Sequence, residues 1–348
     1  MTDTTYTTTR SELESFCSSI LQGYGTAATS ATLVAEALVA ADCAGHVSHG
    51  VRQLPYYVGQ IQRGELLVDA EPEVIEERPS LVVADGRFGF GHLVAAWAVD
   101  QVVARARSQG SSVIAVRNAN HIGRLGAYTS RVADDGLAAI LLVNNQGSAE
   151  MQVAPTGGLD RRLTNNPISF AAPGGPTLDI ALSVSAEGKV HHANELGRAV
   201  PAGWIVDSDG NPTTDPADYL EGGSMLPIGG LEGGYKGYAM IVLVEAIVGL
   251  LTGGGMAGRN WDRFSNAFVL IAADPGSSAL DAYMEQLEVF AAWVKSSRRR
   301  DGVAEILIPG EPEARSAANM SMITLDQATA AALGDLAREG GVQQPWTV

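Results

Sequence analysis

The sequence predicts an α/β fold, and three observations carry that expectation. Strand-like and helix-like segments alternate between residues 81 and 143, the stretch from Asn144 to Leu231 is rich in Gly, Pro, Asn and Asp, and 46% hydrophobic against 18% charged residues supplies a core. A length of 348 residues, at roughly 150 per domain, corresponds to about two domains. The apolar content excludes a disordered chain. The formal charge of −16 repels phosphate and argues against a nucleic-acid binder.

Taken in order, Ser11 with Glu14 reads as a capping box, and Leu13, Phe16, Cys17, Ile20 and Leu21 follow at helical spacing until Gly23. A second apolar face (Ala31, Val34, Leu38, Ala41) starts after Thr29 and Ser30 and stops near Gly45; a third runs from Leu54 to Ile61. Strands are expected at Leu81 to Ala84, Val113 to Val116 and Leu137 to Val143, with helices at Leu93 to Ala106 and Ala127 to Ala133 between them. The turn-rich stretch, with apolar runs at Ile168 to Ala172 and Leu178 to Val184, suits antiparallel strands and functional loops. A long helix at Tyr235 to Leu251, a strand at Ala267 to Ala272, a helix at Leu280 to Val294, a strand at Ala304 to Ile308 and a helix at Leu325 to Ala337 complete the chain.

Cys17 and Cys43 are the only cysteines and belong to no ligand run, so neither a disulfide framework nor a zinc site is expected. The stretch MTDTTYTTTR has no apolar signal core, and the apolar run from Tyr238 to Leu251, interrupted by Glu245, falls short of a membrane span. The expected compartment is the cytoplasm, without membrane partners.

Histidine is the side chain best suited to proton transfer near neutral pH. His49 lies at a helix-to-helix junction after Ser48, and His121 lies between a strand and a helix in Asn120-His121-Ile122-Gly123-Arg124. Each can serve catalysis or cap its turn. His46 and His49, three apart, with His121 leave a metal-dependent hydrolase or lyase open as an alternative. Gly253 to Gly258 satisfies G-x-G-x-x-G but follows a helix-like run, so it reads as a helix C-cap and loop rather than a Rossmann fingerprint. Lys236 starts the same helix, as an anion contact or a solvated surface lysine; Asp179, Ala181 and Ser183 share one strand face; Asn165-Asn166-Pro167 makes a turn.

Together these stations resemble a family. Ser48-His49-Gly50-Val51 with Pro55 and Tyr57, Asn120-His121-x-Gly123-x-x-Gly126-x-Tyr128, Asn166-Pro167, Asp179-x-Ala181-x-Ser183, Pro201-x-Gly203-Trp204 and Lys236-Gly237-Tyr238 occur in the order found in the malate/L-lactate dehydrogenase family. That family includes sulfolactate and ureidoglycolate dehydrogenases, diketogulonate reductase and the piperideine-/pyrroline-2-carboxylate reductases, and the resemblance runs from about residue 10 to 340. It implies a non-Rossmann NAD(P) oxidoreductase, with NADPH or NADH as cofactor and a largely antiparallel mixed sheet in the cofactor domain. Both chain ends would form a second α/β domain, dividing the chain into 1–120, 121–295 and 296–348, and the assembly would be a homodimer.

The reaction implied is hydride transfer to or from C2 of a small 2-oxo/2-hydroxy acid or a cyclic 2-imino acid. His121, or else His49, would act as general acid/base, and Ser48, Arg52 and Asn145 as substrate contacts. Asn166, Pro167, Asp179, Ala181, Ser183, Lys236, Gly237, Pro309, Gly310, Glu311 and Arg315 would line the cofactor site, and no metal is needed. The chain departs from the family pattern at Gln53, where an arginine is common and here stands at Arg52, at Thr164 to Pro167, which lacks a glycine, and in the segment Lys189 to Val200. A non-catalytic nucleotide-binding relative is a further alternative, motivated by Gln53 and Thr164.

Overall fold

The computed structural model describes residues 6–146, 151–258 and 263–343; part of the N-terminal stretch read for a signal core therefore lies outside the described residues. The chain opens with β1 (Tyr6–Thr9), α1 (Arg10–Gly23), α2 (Ala28–Cys43) and, after two 3-10 turns at Val47–His49 and Val51–Gln53, α3 (Leu54–Gln62). Next come β2 (Glu73–Arg78), β3 (Leu81–Asp85), α4 (Gly91–Gln109), β4 (Ser111–Ala119), α5 (Gly126–Asp134) and β5 (Ala138–Asn145). The turn-rich part holds β6 (Ile168–Ala171), β7 (Thr177–Ile180), α6 (Glu187–Glu195), β8 (Ile205–Val206), β9 (Pro212–Thr213), α7 (Pro216–Leu220) and β10 (Ser224–Met225). Then follow α8 (Gly230–Thr252), β11 (Asn266–Ala273), α9 (Ser277–Lys295), α10 (Glu311–Asn319), β12 (Met322–Leu325) and α11 (Gln327–Glu339).

A mixed sheet of order β2-β3-β4-β11-β5-β6-β7 forms the centre. Only the β3–β4 pair is parallel; its crossover is α4, whereas β11 arrives after the long α8 and inserts antiparallel between β4 and β5. The largely antiparallel mixed sheet thus matches the expectation. The period of two along each strand divides its apolar residues between two faces. Val82, Ala84, Ile114, Val116, Phe268 and Leu270 pack with Val94, Ala98 and Val102 of α4 and Val132 of α5. Ala115, Ala267 and Val269 pack on the other side with Ile241, Val244 and Val248 of α8. A third core unites the two chain ends: Leu13, Phe16, Ile20, Val34, Leu38, Leu54 and Tyr57 with Ile323, Leu325, Ala330 and Leu333. Pairing of β1 with β12 closes it.

Several local expectations need correction. The capping box sits two residues earlier, where Thr9 accepts from the Glu12 N–H and Glu12 reaches back to the Thr9 N–H at 3.0 Å. The hydroxyl must stand at the extended residue that leaves β1, and Ser11 is already helical. No strand forms at Ala304 to Ile308; the C-terminal segment instead pairs later, through β12, because the open edge available to it is β1. Leu325 belongs to that strand, and α11 begins only after Asp326, whose carboxylate caps it by accepting from the Thr329 N–H at 2.7 Å. β2 was not legible: Glu-Val-Ile-Glu-Glu-Arg reads as polar, and its charges suit the exposed edge it occupies. α8 starts at Gly230, well before Tyr235, and by length and composition alone is long and apolar enough to cross a membrane. One face of it covers the sheet.

Candidate active site

The ends of β4 and β5, the first 3-10 turn and α6 converge on one cavity of about 830 Å³, within the range of roughly 300–1,000 Å³ typical of small-molecule sites. Because β4 and β5 run in the same direction, their carboxyl ends share one edge of the sheet, delivering His121, Asn144 and Asn145. His121 is held by its backbone: its N–H donates to Asn120 Oδ1 at 2.7 Å, and the next N–H, of Ile122, donates to Asn266 Oδ1 at 3.2 Å. Gly91, the first residue of α4, lies so close that a Cβ there would come within 2.2 Å of the His121 carbonyl oxygen.

The turn from Val47 to Gln53 brings Ser48 and His49 to the opposite wall. Asp42, buried on α2, anchors it by accepting the Val51 N–H at 2.9 Å. Its carboxylate fills the space that a side chain at Gly50 would need, 1.9 Å from an ideal Cβ. Gln53 Nε2 braces the same turn by donating to the Ser48 carbonyl at 2.6 Å. The His49 and His121 rings stack with centroids 5.6 Å apart and planes 25° from parallel. Ser48 Oγ lies 3.0 Å from His49 Nδ1, and Tyr57 Oη lies 2.7 Å from His121 Nδ1.

Burial sets the protonation of this pair. It lowers His49 to about 4, with His46 and Arg124 adding to the effect, and it holds His121 well below the ordinary imidazole value, helped by His49 and His92. Both rings are therefore neutral near pH 7. Asp179 is raised by burial despite the Gly126 N–H that it accepts at 2.7 Å. Arg124, from the turn after His121, points to the same place, with its Nε 3.9 Å from Asp179 Oδ2.

Of the residues expected to act, His49, His121, Ser48, Asn145, Pro167, Asp179, Ala181 and Ser183 all line this cavity. Asp179 lies in β7, while Ala181 and Ser183 continue beyond it, with Ser183 bridged to Pro227. Arg52 is turned away and pairs with exposed Glu195 at 3.3 Å. Asn166 is fully buried and structural: its Nδ2 donates to Glu245 Oε2 at 2.7 Å and to the Ile241 carbonyl at 3.1 Å. Gly237 is a packing glycine, where a Cβ would sit 2.5 Å from the Ile228 carbonyl oxygen, and Lys236 beside it stands outside the cavity. Gly310 lines a second cavity of about 480 Å³ that shares Arg124 and Asp179 with the first. Glu311 pairs with Lys295, Arg315 with Glu305, and the Pro309 carbonyl accepts the Thr177 N–H at 3.0 Å.

Sequence reasoning missed Gln152, Asn144, Lys189 and His191, which line the cavity too. The last two come from α6, in the segment to which the resemblance assigns no role, and only its folding over the cavity reveals them. Four buried polar atoms at this site have no hydrogen-bond partner among the described residues: Arg124 Nε, Asn144 Oδ1, Asn145 Oδ1 and Gln152 Oε1. Such atoms are costly unless a ligand pairs with them. No group of three His, Cys, Asp or Glu side chains among the described residues is arranged to hold a metal.

The malate/L-lactate dehydrogenase family model matches residues 8–334. A malate dehydrogenase from Pyrococcus abyssi is 35% identical over 313 residues, covering 87% of this chain and 85% of that one. A Delta(1)-pyrroline-2-carboxylate/Delta(1)-piperideine-2-carboxylate reductase from Pseudomonas putida is 36% identical over 247 residues, 70% of each chain. The solved structure of sulfolactate dehydrogenase from Methanocaldococcus jannaschii superposes with a TM-score of 0.87 at 28% identity, covering 97% of this chain and 98% of that one. Fold and relatives together define an oxidoreductase. The chain belongs to the malate/L-lactate dehydrogenase family.

Proposed function

We propose that this enzyme transfers a hydride between a nicotinamide cofactor, NADH or NADPH, and C2 of a small 2-hydroxy/2-oxo acid or a cyclic 2-imino acid. The observation that carries the reading is the pair of neutral imidazoles facing one another in a cavity that also holds Arg124 and three unpaired amide oxygens. Unpaired buried acceptors call for donors such as a carboxamide NH2 or ribose hydroxyls, so the residues present fit a nicotinamide nucleoside. Asn145, Gln152, Pro167, Asp179, Ala181 and Ser183 would hold it. The second cavity, which reaches Gly310 and Glu313 past Asp179, offers room for the remainder of the dinucleotide; Pro309, Glu311 and Arg315 are not among the residues that line it.

When bound, the cofactor supplies the hydride donor or acceptor. The chain's own residues do the rest. Arg124 binds the substrate carboxylate, since among the described residues its guanidinium has only the 3.9 Å contact to Asp179. His121, or His49 across from it, exchanges a proton with the oxygen or nitrogen at C2, a role typically contributing roughly 10²- to 10⁴-fold. Burial keeps either ring neutral: a ring whose bare nitrogen faces the substrate takes the proton when a hydroxyl is oxidised, and one that presents N–H hydrogen-bonds the carbonyl oxygen.

In the organisation proposed, 121–295 carries the cofactor and the exposed faces of α8 and α9, and 1–120 with 296–348 brings the Ser48 and His49 side of the substrate site, in the cytoplasm. A homodimer is supported by the apolar residues that the chain leaves exposed on α8 and α9, including Leu243, Leu250, Val289 and Trp293. The deciding experiment follows the nicotinamide absorbance with NADH and with NADPH against linear 2-oxo acids and five- and six-membered cyclic 2-imino acids. Cofactor oxidation by any member supports the reading; binding of neither nucleotide in calorimetry overturns it.

A further inference from the structure

We propose that Tyr57 is a positioning residue that fixes the tautomer of His121, donating its phenolic proton to Nδ1 so that the neutral ring offers Nε2–H to the substrate. The inference rests on the reading that this cavity is the active site, and it follows from counting donors and acceptors. Tyr57 is fully buried in the N-terminal core, and the one hydrogen bond of its hydroxyl among the described residues is the 2.7 Å contact to His121 Nδ1. A phenol carries one proton and a neutral imidazole carries one. If the phenol donates, its O–H and the ring's Nδ1 lone pair are both satisfied. If Nδ1–H donates instead, the phenolic hydrogen is left buried with no acceptor, which costs on the order of 1–3 kcal/mol.

Neither group escapes the choice by ionising. Burial raises the Tyr57 hydroxyl well above its ordinary value and lowers His121 well below its own. The surroundings hold the phenol in place: its ring meets His92 edge-on at 5.6 Å and lies 6.0 Å from the His121 ring. His92 is itself buried and lowered to about 4, and its Nδ1 has no hydrogen-bond partner among the described residues, so no cation in this cluster competes for the phenol. An Nε2–H aimed into the cavity matches a carbonyl or carboxylate oxygen of the substrate. Tyr57 touches neither substrate nor cofactor and acts only through His121, as the partner of one ring nitrogen commonly decides what the other presents.

The test uses Tyr57→Phe, which removes the hydroxyl and keeps the ring that packs the core. Nitrogen-15 spectra of the full-length protein with labelled histidine, the His121 signal being identified by its loss in His121→Asn, read the tautomer without any turnover. The expected wild-type result is protonated Nε2 with a hydrogen-bonded, unprotonated Nδ1; a protonated Nδ1 overturns the proposal, whatever the enzyme proves to catalyse. In assays on the substrate found active, Tyr57→Phe is expected to lower kcat roughly tenfold or more with KM nearly unchanged. It should also raise the acidic limb of the kcat/KM profile, because Nδ1 loses the donor that favours the neutral ring. An unchanged limb and an unchanged kcat in a variant that melts like wild type would overturn it. Wild type inactive on every substrate would count against the proposed reaction alone, leaving the tautomer to the spectra.

Discussion

His121 and His49 are separated by more than seventy residues in the sequence and by 5.6 Å between ring centroids in the fold. Removing the imidazole at 121 should therefore cost catalysis and little else: His121→Ala is expected to lower turnover by roughly 10²-fold or more while nucleotide affinity, measured by calorimetry, stays within a few-fold. Unchanged turnover would remove His121 from the mechanism. The two arginines near these histidines separate in the same way. Arg52 pairs with exposed Glu195 outside the cavity, whereas Arg124 lines it. Arg124→Leu should raise KM for the acid substrate roughly tenfold or more, the worth of a charge-assisted hydrogen bond, and Arg52→Ala should leave KM within about twofold. Steady-state kinetics with the reverse pattern would return the carboxylate to Arg52.

The turn between α2 and α3 shows how an element positions its residues through groups that never reach the cavity. Asp42 holds Val51 and occupies the space beside Gly50, so Gly50→Ala forces a methyl group into a buried carboxylate. Loss of His49 geometry, seen as reduced kcat together with a lowered melting temperature, is the expected outcome. Burial also raises the Asp42 carboxyl to about 7, above its ordinary value of 3.8. A folded-state value above the unfolded one means that the folded protein binds the proton more tightly. The associated stability is full below about 3.8 and is lost as pH rises through about 7. Asp42→Asn escapes that loss, so its melting temperature relative to wild type should climb as pH is raised from about 4 to about 8; a difference that stays constant with pH would show that Asp42 does not titrate in this window. His49 contributes with the opposite sign: its value of about 4 lies below the ordinary 6.5, so its share of stability is gained between those two values as pH rises.

The whole molecule buries three cores and still leaves Leu250 80% and Trp293 75% exposed, on two different helices. No residue of α9 is buried within the chain. Water contact over so much apolar surface is unfavourable at roughly 25 cal/mol per Å², and the homodimer proposed above would cover it. Sedimentation should show a dimer, and Leu250→Asp or Trp293→Asp should shift it toward monomer. A wild-type monomer at micromolar concentration would overturn the assignment of these faces to a dimer.

Periodicity and turn chemistry by themselves determined most of the elements. α1 to α5, the alternation of β3, β4 and β5, the C-cap at Gly253 and the absence of a usable Rossmann fingerprint follow from side-chain spacing, because a helix or strand must turn one apolar face to the core. The ordered motifs around His49, His121, Asp179 and Lys236 were also enough to point to the family. Tertiary structure decided what spacing does not encode. Whether Arg52 or Arg124 enters the cavity depends on the direction of a short 3-10 turn, and Asn166 turns inward to Glu245 because that carboxylate is buried beneath it. The cavity role of α6, the exchange of an expected strand at Ala304 to Ile308 for the β1–β12 pair, and the contact between Tyr57 and His121 all join residues far apart in the chain. Local pattern specifies which face of an element is apolar; only the closing of the sheet and the two chain ends specifies which polar atoms meet.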